Sequence, residues 1–242
     1  MTDNPRALLD IRGLTRSFGG VKAVDTLDLT LHEGELLAVI GPNGCGKTTL
    51  FNLMTGQLKP DAGSITLSGV EIAGLPPYKI ARLGIGRKFQ VPSVYEELTV
   101  GENLALAKLA APGGRNDRPS PVLERAGLAT RLDQPAGLLS HGQKQWLEIA
   151  MVLAARPRLV LLDEPTAGMT RAETLETIDI LRRLRDEEGI TAIVIEHDMA
   201  AVAALGGRVA AMIRGKIVAD GAFETIRAHP QVIEAYLGAA HA

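Results

Sequence analysis

Eight consecutive residues, Gly41-Pro42-Asn43-Gly44-Cys45-Gly46-Lys47-Thr48, spell GxxxxGK[ST], and Thr49 follows them. Glycines at these positions let the backbone wind so tightly that successive N–H groups converge on one point, a geometry suited to phosphate oxygens. A helix opening at Lys47 aims the positive end of its dipole into the same space. Lys47 adds a mobile ammonium for the β- and γ-phosphates, and the Thr48 hydroxyl can ligate Mg²⁺. Further along, Leu159-Val160-Leu161-Leu162 runs into Asp163-Glu164. A carboxylate at the carboxyl end of a buried parallel strand sits where α/β sheets bind ligands. Asp163 can hold a divalent cation through its water shell, and Glu164 can polarise an attacking water. Phosphoryl transfer asks a protein mainly to position and neutralise, so a second acid beside the metal acid is informative. The two motifs together predict a nucleoside triphosphate site.

These residues need rigid elements to hold them. Residues 36–40, 159–163 and 191–196 are apolar on consecutive positions, as strands covered on both faces are. Short β-rich runs alternating with helix-like stretches predict an α/β fold with a largely parallel sheet. Residues 47–57 read as a helix with Leu50, Phe51, Leu53 and Met54 on its apolar side. Residues 8–31 alternate in polarity and carry turn glycines at Gly13 and Gly19-Gly20, so an antiparallel flank of the same core is expected. From 92 to 155 strand signals vanish and Leu/Ala-rich helical segments dominate. This predicts a helical insertion, residues 92–155, in a core made of residues 1–91 and 156–242, with an irregular turn at 112–121. The stretch 171–188 is a charged amphipathic helix whose RRLRDEE reads as a solvated face.

The protein has 242 residues, one domain's worth, with 26 Lys+Arg against 28 Asp+Glu, a net charge of −2. No basic excess exists to offset a phosphate backbone, so no nucleic-acid partner is expected. A single cysteine excludes an internal disulfide framework and a multi-cysteine metal site. No apolar run approaches the roughly 18 residues that cross a bilayer. The opening MTDNPRALLD carries acids and a proline where a secretory leader has a basic and then an apolar block. An intracellular protein is the expectation, brought to any membrane by something else.

Between the two motifs lies Leu139-Ser140-His141-Gly142-Gln143, and His197 follows the third strand. The phosphate loop, this pentapeptide, Asp163-Glu164 and His197, in that order, resemble the nucleotide-binding subunit of ABC transporters over essentially the whole sequence. The resemblance implies a P-loop NTPase core of the ABC type, with an antiparallel β flank and an inserted α-helical subdomain. It implies a Mg²⁺-dependent ATPase using ATP. The family usually has LSGGQ, so His141 departs at one glycine, while Ser140 and Gly142 keep the hydroxyl and backbone contacts that reach a γ-phosphate. Phe18 in SFGG resembles the aromatic that stacks on adenine, with a core phenylalanine as the alternative. Gln90 in RKFQ resembles the glutamine that senses Mg²⁺ and the attacking water. Ala167-Gly168-Met169-Thr170 occupies the place of the family's D-loop, and His197 resembles the switch histidine at the γ-phosphate.

The family mechanism implies that ATP sits between two nucleotide-binding subunits. One supplies the phosphate loop and Asp163-Glu164, and a second copy or paralogue supplies 139–143. Closure swings the helical insertion against two integral membrane permease subunits at the cytoplasmic face of the inner membrane, with an external binding protein engaged indirectly. The stretches GRKFQVPSVYEELTVGENLALA, LSHGQKQWLEIAMVLA and LLDEPTAGMT resemble the branched-chain amino acid importer group. Within it RKFQ-x-P, SHGQKQWLEI and EP-x-AGMT are most similar to the urea importers, so urea or a short amide is the first expectation and branched-chain amino acids the second. A soluble ABC-type ATPase that serves metal clusters, nucleic acid or ribosomes is the alternative class. The single nucleotide-binding unit and the lack of a basic tail or cysteine cluster argue against it.

Four further features have plain readings. Cys45 lies near a helix N-terminus that lowers a thiol pKa, though a small loop filler is the preferred reading. Trp146 reads as packing. Arg82, Arg87 and Lys88 read as a solvated basic face. The last fifteen residues read as a short helix with a loose tail.

Overall fold

A computed structural model of the protein describes residues 7–88, 94–109 and 121–238. Two long strands open it, β1 (Ala7–Phe18) and β2 (Val21–His32), followed by β3 (Leu36–Ile40) and the helix α1 (Lys47–Met54). Next come β4 (Ala62–Leu67), β5 (Val70–Glu71), α2 (Pro77–Leu83) and β6 (Ile85–Lys88). The helices α3 (Val100–Leu109), α4 (Pro121–Arg125) and α5 (His141–Ala154) lie between β6 and β7 (Leu159–Asp163). Then follow α6 (Arg171–Glu188), β8 (Thr191–Ile195), α7 (Met199–Leu205), β9 (Arg208–Ile213) and β10 (Lys216–Ala222). Two short helices, α8 (Phe223–Arg227) and α9 (Pro230–Gly238), close the fold.

Among the described residues the strands form two sheets. One is antiparallel in the order β2-β1-β4-β5, the flank that the alternating pattern predicts, and the other runs β10-β9-β3-β8-β7-β6. In the second, β9, β3, β8, β7 and β6 are mutually parallel and β10 alone is antiparallel. The period of two splits each apolar strand between two cores. Leu159, Leu161, Ile193 and Ile195 pack with α1 and the flank sheet. Their neighbours Val160, Leu162, Ala192 and Val194 pack with Trp146, Leu147 and Ile149 of α5 and with Ile178 and Leu181 of α6. That double burial is why these strands read as unbroken apolar runs.

The strand order decides the site. β8 lies between β3 and β7, and β6 lies beyond β7. The segments leaving the carboxyl ends of β3, β8 and β7 therefore emerge side by side along one edge, where parallel sheets bind ligands. Those segments are the phosphate loop, the turn at His197 and Asp163-Glu164.

Two element ends differ from expectation. α1 stops at Met54, not at residue 57, because Thr55 turns its hydroxyl back to the Phe51 carbonyl (2.8 Å) and Gly56 takes φ 73°. The strand expected over 191–196 ends at Ile195, although the Glu196 N–H still donates to the Val39 carbonyl of β3 at 3.3 Å.

Candidate nucleotide site

Gly41 and Gly46 shape the loop. A Cβ at Gly41 would run into the Met212 carbonyl oxygen, and one at Gly46 (φ 111°) into the Ala23 carbonyl oxygen. Only glycine lets the loop lie this close to β9 and β2. The Lys47 ammonium is tucked into the loop, donating to the carbonyls of Gly41 (2.6 Å) and Pro42 (3.1 Å). It is thereby held against the backbone of the loop that a phosphate would meet. Asn43, Gly44 and Thr48 are exposed, and Thr49 is half-buried. Cys45 is buried, and burial pushes its thiol pKa up. That reverses the lowering expected from the helix end: desolvation outweighs the dipole and the nearby Lys47, and the cysteine serves as a small filler.

Asp163 ends β7 almost fully buried, and Glu164 follows with φ 49°. A non-glycine residue in the left-handed region carries strain of about 1–3 kcal/mol, and such strain clusters at functional sites. The Glu164 N–H donates to the Ile195 carbonyl at 3.0 Å, which pins the strained residue against the end of β8. Its carboxylate then lies 3.7 Å from His197 Nδ1, at the neighbouring strand end. Glu196 is fully buried and accepts from the Thr166 N–H (3.2 Å) and hydroxyl (2.7 Å), so it fixes the turn after Glu164; burial pushes its pKa up.

Ser140 is the N-cap of α5. Its hydroxyl oxygen accepts from the Gln143 N–H (3.2 Å) while the Gln143 side chain accepts from the Ser140 N–H (3.1 Å), a capping box. The S-x-x-Q spacing of the pentapeptide is thus a helix start, with a dipole end and an exposed hydroxyl presented outward. His141 Nε2 lies 3.2 Å from the Ala167 carbonyl and, with its proton on that nitrogen, donates to it. Gly142 is buried where a Cβ would strike the Glu173 carboxylate, itself the N3 partner in the Thr170 capping box of α6. Phe18 is 45% exposed, with the Arg16 guanidinium 4.9 Å from its ring centroid. It is therefore a surface aromatic and not a core phenylalanine.

Residues 24–167 match the family described as ABC transporter. The protein belongs to that family. As a member it is an ABC-type ATPase. A separate match, to the family described as branched-chain amino acid ATP-binding cassette transporter, covers residues 216–242. The protein is 39% identical over 253 residues to the high-affinity branched-chain amino acid transport ATP-binding protein BraF of Pseudomonas aeruginosa, covering 97% of this sequence and 99% of that one. It is 40% identical over 251 residues to LivG of Salmonella typhimurium, a protein of the same description, covering 96% and 98%. The putrescine transport ATP-binding protein PotG of Escherichia coli is 37% identical over 92% of this sequence, but only 59% of PotG is covered. Among solved structures, the ADP conformation of an ATP-binding cassette of an ABC transporter superposes with TM-score 0.85 at 30% identity, covering 96% and 99%.

Of the residues singled out from the sequence, this ABC-type ATPase brings 41–49, Asp163, Glu164 and His197 to one sheet edge. Leu139, Ser140, His141, Gly142 and Gln143 stand at the start of α5. Gln90 lies outside the described residues, as do residues 110–120 and the tail after 238. Trp146 is packing, its indole N–H donating to Thr177 at 2.8 Å. The basic-face reading fails for two of its three residues. Arg82 is exposed over Tyr78, but the side chains of Arg87 and Lys88 are buried, paired with Asp163 (3.0 Å) and Glu148 (3.5 Å). A buried cation requires a nearby counter-charge, and both partners lie at least 60 residues away in sequence, where local charge patterning does not reach. Glu196 escapes the sequence reading as well, and only its place beside His197 hints at it.

Among the described residues no group of three or more His, Cys, Asp or Glu could hold a metal. Thr48 and Asp163 offer hard oxygen donors in small number. That suits Mg²⁺, which keeps several waters and shares its shell with phosphate oxygens.

Proposed function

We propose that this ABC-type ATPase powers an importer of branched-chain or similar hydrophobic amino acids. The observation that carries the reading is the match of residues 216–242 to the branched-chain amino acid family, outside the segment common to ABC transporters. Full-length similarity to BraF and LivG supports it, whereas the polyamine relative PotG is covered over only part of its length. These relatives favour the hydrophobic amino acid over the urea expectation that His141 and its neighbours suggested.

In this reading the protein is a single nucleotide-binding domain, core 1–91 and 156–242 with a helical insertion 92–155. Phe18 stacks on adenine, and the N–H groups of 41–49 cradle the phosphates. The Lys47 ammonium exchanges the Gly41 and Pro42 carbonyls for phosphate oxygens. Thr48, Asp163 and Gln90 would hold Mg²⁺, which would supply neutralisation of phosphate charge. Glu164 takes the proton from the attacking water, and His197, 3.7 Å from it, orients on the γ-phosphate. A second copy or paralogue completes the site with Ser140 and Gly142. No helix among the described residues is long and apolar enough to cross a membrane. We place the protein at the cytoplasmic face of the inner membrane, bound to two permease subunits and indirectly served by a binding protein, with no nucleic-acid partner.

The deciding experiment is uptake of labelled leucine and labelled urea in cells whose chromosomal copy carries Lys47→Ala. Loss of leucine uptake alone is the expected result. Loss of urea uptake alone overturns the substrate class while keeping the importer, and no change in either overturns both.

A further inference from the structure

Arg87 has surroundings that its charge makes conspicuous. Its side chain is only 6% exposed, its Nη2 donates to Asp163 Oδ2 at 3.0 Å, and its Nη1 donates to Asn52 Oδ1 at 2.6 Å. The guanidinium also lies 5.4 Å from the centroid of the Phe51 ring. Asn52 and Phe51 belong to α1, the helix that the phosphate loop opens, and Asp163 ends β7. One planar cation therefore clamps the carboxylate to the phosphate-loop helix from inside the fold.

A guanidinium and a hydrated divalent cation draw on the same carboxylate charge. A buried carboxylate without a cation is costly, so a permanent internal partner keeps it in place between nucleotides. That partner also repels an arriving metal, with a Coulomb term weakened little by solvent in so enclosed a place. We propose that Arg87 is a positioning residue for the metal acid: it holds Asp163 in place when no metal is bound, and it sets the affinity for the divalent cation that arrives with nucleotide. The inference rests on the proposed role of Asp163 at the metal.

The test is Mn²⁺ binding, followed by the electron paramagnetic resonance signal of the free ion, in the full-length protein saturated with ADP. Asp163→Asn is expected to weaken Mn²⁺ binding. Arg87→Gln is expected to tighten it about tenfold, while ADP affinity in EDTA stays within about twofold, since one opposing charge is gone and the phosphate loop is untouched. Arg87→Lys, which keeps the charge, is expected to stay within about threefold of the parent. If Asp163→Asn weakens Mn²⁺ binding but Arg87→Gln leaves it unchanged or weakens it, Arg87 is structural only and the inference fails alone. If Asp163→Asn has no effect, the metal role of Asp163 and the inference fall together. Should Arg87→Gln not fold, the parent still answers through nitrogen-15 NMR, with the Arg87 side-chain signal assigned by its loss in Arg87→Lys. That signal is expected to shift and its protons to exchange faster when Mg²⁺ joins ADP, and a silent signal refutes the proposal.

Discussion

Glu164 has two properties that separate chemistry from folding. Its backbone is strained at φ 49°, and its carboxylate lies near His197 but does not reach it as a hydrogen-bond partner. Glu164→Gln keeps the size and the backbone, so the thermal midpoint and ATP binding should stay close to the parent. Turnover should fall at least about 100-fold, the lower end of what a positioned base contributes. Both readouts come from one preparation, by equilibrium binding and phosphate release, and unchanged turnover would remove Glu164 from the role of base. At this scale the sequence is legible wherever a motif is contiguous. The phosphate loop and Asp163-Glu164 carry their chemistry within a few neighbours. Arg87, Lys88 and Glu196 do not, since each is defined by a partner that the sheet brings from elsewhere. Cys45 shows a further limit, because its neighbours in sequence indicate a dipole and only the fold reveals the desolvation that overrides it.

At the scale of elements, two helix starts are written openly. Ser140 with Gln143 and Thr170 with Glu173 are capping boxes, each satisfying N–H groups that a helix leaves unpaired. Ser140→Ala should cost about 1 kcal/mol. For a protein of this length that lowers the thermal midpoint by about 3 °C. Ser140→Asn, which restores an acceptor, should recover most of it. A melt unchanged in Ser140→Ala would mean that α5 starts independently of its cap. The strands are equally plain, because burial on both faces leaves an unbroken apolar run. Where α1 ends is not, since the decision rests on a threonine hydroxyl turning back and a left-handed glycine at which a Cβ would strike the Leu75 carbonyl oxygen.

For the whole molecule, the parallel sheet and the helices of the insertion share a core. Val160, Leu162 and Val194 pack in one cluster with α3, α4 and α5, and the pair Lys88–Glu148, 3.5 Å apart, is buried as well. The pair joins β6, on its way toward Gln90, to the helix that begins with the Ser140 cap. Removing one partner of a buried pair costs about 3 kcal/mol or more. Glu148→Gln should therefore lower the thermal midpoint by about 9 °C. The double replacement Lys88→Met with Glu148→Leu should recover much of the loss, because an apolar pair of similar volume needs no counter-charge. A calorimetric melt within about 2 °C of the parent for Glu148→Gln would show that the pair contributes nothing net.

The carboxyl-terminal region bears on the phosphate loop more directly than its position in the sequence suggests. Gly215, in the turn before β10, donates its N–H to the Cys45 carbonyl at 2.9 Å, and Ile226 and Val232 pack beneath Ala38 and Ile40 of the strand that leads into the loop. Ile226 and Val232, within the segment that matches the branched-chain amino acid family model, are thus part of the footing of the nucleotide loop. Grafting this segment from one transporter ATPase onto another would exchange foundation together with label, and a chimera that failed to hydrolyse ATP would say nothing about which permease it had been meant to recognise.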